Sequence, residues 1–294
     1  DRRIANFGLR AFVNFEPCRL ELVYLPFHAP AQFPDFGLGP PLDFMDPEYP
    51  DNDLSNGTSG TRFHLSLPVI DASVSYLYGF APYPGIILRE RNVIQEYVKS
   101  QTLKLGFAAY RHHVVGLDFG IPVAGYFVLR GEAAYKITED YEESEYIPQP
   151  EVQYALGVDR AFGDLMVVLQ YSGRYVFDWE EVEETGLING RTPPSMAQIA
   201  ALLANGTIDQ VVFDELVLKN RALTGQLAQV IHSASGRISY SLLHNTLTLE
   251  VMGMYNFSTQ EFMAIPKVTY AFTNSLLVAA GAEFYGGPDN TLFG

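Results

Sequence analysis

Hydrophobic and polar residues alternate strictly along much of this chain, in segments of about ten residues. In 72–80, Val74, Tyr76, Tyr78 and Phe80 share one face while Ser73, Ser75 and Gly79 share the other. Within 60–67, Phe63, Leu65 and Leu67 oppose Arg62, His64 and Ser66. Within 165–178, Leu165, Val167, Leu169, Tyr171, Tyr175 and Phe177 oppose Gln170, Ser172, Arg174 and Asp178. Successive side chains of a strand point to opposite faces, so each segment predicts a strand with one greasy and one polar side. The pattern recurs in 4–15, 19–25, 103–121, 126–137, 152–162, 229–242, 247–257, 262–272 and 276–286, predicting about twelve strands.

Alternation alone suits a soluble sandwich as well as a membrane barrel. Two features favour the barrel. Full charges occupy the polar faces at mid-strand: Arg10, Arg62, Asp118, Arg130, Glu132, Arg174, Arg237, Glu250, Lys267 and Glu283. In a closed barrel these line a wet lumen. The connections also sort by parity. Short ones fall at 16–18, 68–71, 122–125, 163–164, 243–246 and 273–275. Long ones fall between them at 26–59, 81–102, 138–151 and 179–228, with a short exception at 258–261. Short turns on one side and long loops on the other are the periplasmic and exterior sides of an outer-membrane barrel. The predicted fold is therefore all-β: a transmembrane antiparallel up-and-down β-barrel forming one domain over 1–294, in the bacterial outer membrane. By the same parity the outermost strands need neighbours. The expectation is a partial chain of a barrel with about 14 strands, lacking terminal strands.

Composition narrows this further. Phe (20) and Tyr (18) are abundant beside a single Trp, which suits strands with aromatic belts. No run approaches the roughly 18 apolar residues of a membrane helix. The first residues, Asp1-Arg2-Arg3-Ile4, carry no signal-peptide core, so any export signal is expected to have been removed already. Cys18 is the sole cysteine, which leaves no internal disulfide and no zinc framework. A formal charge of −15 argues against a nucleic-acid partner.

That charge sits in the long loops. Loop 26–59 carries −6, loop 138–151 carries −6 and loop 179–228 carries −4, so the barrel wall is near neutral. An acidic exterior is solvated and self-repelling. It could also hold Ca2+ or Mg2+ at Asp51 and Asp53, or bridge such ions to lipopolysaccharide. The segment from Asp51 to Gly57 lacks the length and the distal Glu of an EF-hand. Loop 179–228 is the one region read as non-β. Ser195 can cap a helix to Ala204, and Thr207 with Gln210 forms a capping box for a second, ending near Asn220. The pair is expected to be an exterior lid or a plug.

Tests for catalysis come back empty, and no enzyme is expected. Ser55-Asn56-Gly57 is similar to the H-x-S-N-G signature of outer-membrane phospholipases, but Asp53 stands where the His base belongs. His112 and His113 point to opposite faces of a strand and cannot chelate one metal, while His64 and His232 lie on different strands. The lumen charges Arg62, Arg130, Glu132, Arg174, Arg237, Glu250 and Lys267 are the candidate site. Either they form cross-strand ion pairs, or the four arginines make a wall that guides an anionic or amphipathic solute.

The stretch Asp53-Leu54-Ser55-Asn56-Gly57-Thr58-Ser59-Gly60-Thr61-Arg62, with Ser75-Tyr76-Leu77-Tyr78-Gly79, Val115-Gly116-Leu117-Asp118-Phe119, Leu129-Arg130-Gly131-Glu132 and Gly287-Pro288-Asp289-Asn290-Thr291-Leu292-Phe293-Gly294, resembles a widespread group of Gram-negative outer-membrane porin-like barrels of largely unknown function. The resemblance covers most of the chain but consists of strand-turn patterns, so no functional residue carries over. It implies a last closing hairpin, which this sequence does not contain. Some members resemble partners of inner-membrane lipid exporters. The resulting expectation is a transport barrel for a small solute or lipid, embedded in outer-membrane lipid. The alternative is a structural barrel, alone or as a homo-oligomer, whose loops dock a cell-surface protein.

Overall fold

The structure is a computed structural model that describes residues 7–31, 42–88, 103–123, 125–142, 144–182, 201–202, 204–273, 275–288 and 293. In chain order the strands are β1 (Leu9–Phe15), β2 (Cys18–Leu25), β3 (Leu42–Phe44), β4 (Thr58–Leu67), β5 (Ile70–Phe80), β6 (Gly85–Leu88), β7 (Leu103–Ala108) and β8 (Arg111–Val123). They continue with β9 (Phe127–Thr138), β10 (Glu151–Phe162), β11 (Leu165–Val176), β12 (Val230–Leu242), β13 (Leu247–Asn256), β14 (Glu261–Thr273), β15 (Leu276–Gly281) and β16 (Phe284–Gly286). Helix α1 (Ile208–Thr224) precedes β12.

Thirteen of the strands form one antiparallel sheet in which neighbours in space follow each other along the chain, interrupted only where β3, β6 and β7 leave it. Strands β15 and β16 both pair with β14, and Lys267 opposite Gly281 and Ala264 opposite Phe284 belong to one unbroken register. Pro266 lies between these pairs and has no N–H to give, so the ladder lapses there although Ala282 N still donates to its carbonyl at 3.1 Å. Counted as one interrupted strand, the sheet has the twelve strands that alternation predicts. Tight turns join strand ends at 163–164, where Gly163 takes φ +62°, a conformation a Cβ disfavours. No pairing joins β1 to β15 among the described residues.

Two sequence expectations need correction. The segment 103–121 is not one strand: β7 pairs with β6 and β3 in a separate three-stranded sheet, and β8 begins afresh at Arg111. Leu105 and Phe107 keep the same phase as Val115 and Leu117, so periodicity carries no mark of the break. The long connections 26–59 and 81–102 are accordingly not strand-free, and 179–228 is not the sole structured excursion. Glu151 also belongs to β10 and is buried, rather than sitting in an exterior loop.

The packed core lies at the long-connection end. Leu105 and Ile86 of the small sheet are buried there, as are Val212 and Leu216 of α1. Ala81, Tyr110 and Ile147 form a cluster beside Tyr141 and Tyr146. The large sheet curls. A single cavity of about 620 Å³ is lined from β5, β8, β9, β10, β11, β12, β13 and β14. Eight adjacent strands laid flat would span about 34 Å, so only a strongly curved sheet brings them round one cavity.

The convex face is apolar and bare. Val74, Leu117, Leu156, Leu169, Ile238 and Val251 are each 49–52% exposed. Flanking this aliphatic band, Phe15, Phe63, Phe127, Phe162, Tyr240 and Tyr270 sit near the tight turns. Tyr78, Tyr135, Tyr154, Tyr171, Tyr175 and Tyr255 sit toward the long connections.

Candidate functional site: the charged concave face

Register places every predicted lumen residue on one face. Glu21 lies opposite Arg62, and Arg62 opposite Ser75. Ser73 faces Asp118, and Asp118 faces Glu132. Continuing round, Gln153 faces Arg174, Val168 faces Arg237, and Glu250 faces Lys267. Paired residues of an antiparallel ladder share a face, so Arg62, Arg130, Glu132, Arg174, Arg237, Glu250 and Lys267 all project into the concavity.

Five of the arginines on this face, Arg10, Arg62, Arg130, Arg174 and Arg237, each have a carboxylate partner, whereas Arg19 lies over the Phe12 ring. Arg62 Nη2 reaches both carboxylate oxygens of Asp118 at 3.1 and 3.0 Å. Its Nε donates to Ser73 Oγ at 2.7 Å, and Ser73 Oγ in turn donates to Asp118. Arg130 Nε donates to Asp159 Oδ1 at 2.7 Å, and Arg237 Nε to Glu250 Oε2 at 2.7 Å. Arg10 pairs with Glu21, and Arg174 Nε lies 3.4 Å from Glu151 Oε2. Glu132 and Lys267, both exposed to the concavity, have no ion-pair or hydrogen-bond partner among the described residues. Sequence reasoning missed Glu21, Glu151 and Asp159 as partners. The signal was there: each keeps the even-odd phase of its strand's polar face, although Glu151 lies at a strand end.

The histidines divide by face as the strand reading requires. His64 points inward and its Nε2 meets Asp71 Oδ1 at 2.9 Å. His112 is buried on the concave side, whereas His113 faces outward and its Nδ1 lies 2.6 Å from Tyr76 Oη. A matching outward pair joins His232 Nδ1 to Tyr171 Oη at 2.7 Å. Ser55-Asn56 lies in a short 3-10 turn whose N-cap is Asp53, which accepts from Ser55 N at 2.7 Å. That bond holds the Asp53 carboxyl below its ordinary value. Asp51 contributes its backbone carbonyl to Asp53 N and to the Asn56 amide. Among the described residues no three His, Cys, Asp or Glu side chains converge as metal ligands.

Helix α1 roofs the concavity at the long-connection end. Thr207 does not form the predicted capping box. It already has helical φ/ψ of −101° and −1°, which turns its side chain away from the N-terminal amides. Gln210 bonds Asp214 instead, at 2.7 Å. The helix runs a turn beyond the predicted end and stops at Gly225, in the left-handed region at φ +73°. Arg174 Nη1 binds the exposed carbonyls of Thr224, at 3.2 Å, and Gly225. A guanidinium suits the negative end of a helix. Gln226 bridges Gln149 O at 2.8 Å and Glu151 Oε2 at 3.1 Å. Asn220 clasps the backbone of Ile86, accepting from its N at 2.7 Å and donating to its O at 2.9 Å. Arg221 stacks 3.9 Å over Trp179, and burial lowers its pKa. The predicted partner helix at 195–204 lies largely outside the described residues; Ala201, Leu202, Ala204 and Asn205 are helical.

Three acidic spaces lie between the roof and the turns. A rim cavity of about 510 Å³ is lined by Glu142, Glu145, Asp178, Glu180, Asp214 and Arg221 among others. The 620 Å³ cavity lies under Gly225 and Leu227 and carries Asp118, Glu132, Glu261 and Arg174. A deeper one of about 840 Å³ carries Asp71, Asp118, Glu132, Asp159, Arg62, Arg130 and His64. The last two meet at Asp118, Glu132, Ala155 and Gln170.

No protein-family model matches this chain, and no curated protein does. Among solved structures, the crystal structure of OccAB4 from Acinetobacter baumannii is similar, at 12% identity and a TM-score of 0.47. The match covers 96% of this chain, which spans 62% of the length of that one.

Proposed function

We propose that this chain forms a transmembrane β-barrel of a bacterial outer membrane and conducts small solutes through its charged concavity. One observation carries the reading: a continuous band of half-exposed aliphatic side chains, bounded by an aromatic belt on each side, covers the convex face of the sheet. Such an area in water would drive aggregation. Against hydrocarbon it costs nothing, and the aromatic belts fit the two interfaces. The concave face, by contrast, holds ion pairs around cavities of about 620 and 840 Å³. The long connections and α1 then lie outside the cell and the tight turns in the periplasm.

Paired tryptophans test the orientation. In a Trp179→Phe background, Leu169→Trp should be quenched strongly by brominated acyl chains, while Gln170→Trp, its neighbour on the concave face, should respond to aqueous quencher. Equal quenching of both by lipid would sink the membrane assignment. Reconstitution in planar bilayers then tests conduction. Insertion without any channel steps would favour the second reading, in which the acidic exterior loops dock a cell-surface partner.

A further inference from the structure

We infer that the pathway selects small cationic solutes, with Glu132 as its selectivity-determining residue; this deepens, and rests on, the conducting-barrel reading. A row of four arginines in a lumen would ordinarily indicate anion passage, but each of these guanidiniums faces a carboxylate partner. What matters for a passing ion is the charge left over. The deep cavity presents four carboxylates against two guanidiniums and one imidazole, and the cavity above it three carboxylates against one guanidinium. At the rim the imbalance is five to one. The excess has the same sign in all three cavities, so a cation meets a favourable potential in each and an anion an unfavourable one.

Glu132 stands between two of these cavities. It lies directly opposite Asp118 across β8 and β9, an arrangement of like charges that costs stability. Asp118 is engaged by Arg62 and Ser73, whereas Glu132 is exposed and has no partner among the described residues. It also borders both lumen cavities, at their junction. Lys267 and Arg19, which also lack an ion-pair partner among the described residues, line neither. A carboxylate at the point where two water-filled spaces meet can give up hydration to a passing ammonium, guanidinium or alkali ion. The acidic exterior loops raise the local concentration of such solutes at the entrance, an effect that salt screens over about 8–10 Å.

The experiment is reversal-potential measurement in planar bilayers under a KCl gradient, with the full chain. Wild type should prefer K+ over Cl−, and Glu132→Gln should reduce that ratio by about two- to threefold. Arg160→Gln, on the convex face of β10, should leave it unchanged. Vesicle swelling should admit arginine faster than glutamate. Channels that prefer Cl−, or swelling faster in glutamate, would overturn the inference while leaving conduction intact. A cation preference untouched by Glu132→Gln would overturn the assignment to that residue. No channels at all would instead remove the conducting reading on which it rests.

Discussion

Tyr154 on β10 lies directly opposite Gly173 on β11, on the lipid-facing side of the proposed barrel. A Cβ at Gly173 would fall within the Tyr154 ring, and one at Gly131 would meet Phe119 in the same way. Here glycine is required by a close approach, with a neighbouring aromatic covering the bare backbone. Gly173→Ala should therefore destabilise the folded protein by about 1–3 kcal/mol through overpacking. In the Tyr154→Ala background the same change should cost far less; equal costs in the two backgrounds, read by urea unfolding in vesicles, would refute the contact. Exposure also ranks the ion pairs. Arg62 and Asp118 are each 44% exposed, so deleting Arg62 should cost no more than about 1 kcal/mol. Glu151 is only 4% exposed beside Arg174, and Arg174→Met removes its guanidinium partner, leaving the bonds from Gln153 and Gln226, at a cost of about 3 kcal/mol. Unfolding of both variants under one condition checks the order.

At the scale of elements, α1 is held by its C-terminal half. Its hydrophobic residues Val212 and Leu216 are buried, but the specific contacts are Asn220 on β6, Arg174 on the last carbonyls, and Gln226 on β10. Asn220→Ala removes two buried backbone bonds worth about 1 kcal/mol each, enough to raise the undocked population by about thirtyfold. Trypsin should then cut at Lys219 and Arg221 correspondingly faster in the folded protein, with cleavage elsewhere unchanged. Because Gly225 and Leu227 roof the upper cavity, the same variant should show larger single-channel conductance. A conductance equal to wild type would mean that the roof does not restrict flow.

The molecule as a whole is a surface turned inside out. Its charged residues gather round a concavity and its aliphatic ones face outward, so the packed core is confined to one end. Purified in detergent, the protein should be β-rich by circular dichroism and should aggregate when detergent is removed without lipid. A monodisperse species in plain buffer would contradict the exposed apolar band.

Alternation, read alone, determined the twelve strands, their polar and apolar faces, and the sorting of tight turns from long connections. It could do so because period two is a local property: each side chain's face follows from its neighbour's. Arg62, Glu132 and Arg237 were placed on the concave face by that rule alone. Tertiary structure decided what local phase cannot carry. It separated β7 from β8, whose alternation runs on unbroken while the chain changes sheets. It also gave Arg62, Arg130, Arg174 and Arg237 their carboxylates, since Arg62 and Asp118 are 56 residues apart and meet only through strand pairing. Thr207 lost its capping role to the conformation imposed on its backbone. The charge balance of the concave face likewise emerged only from the fold, because register and curl decide which groups line each cavity.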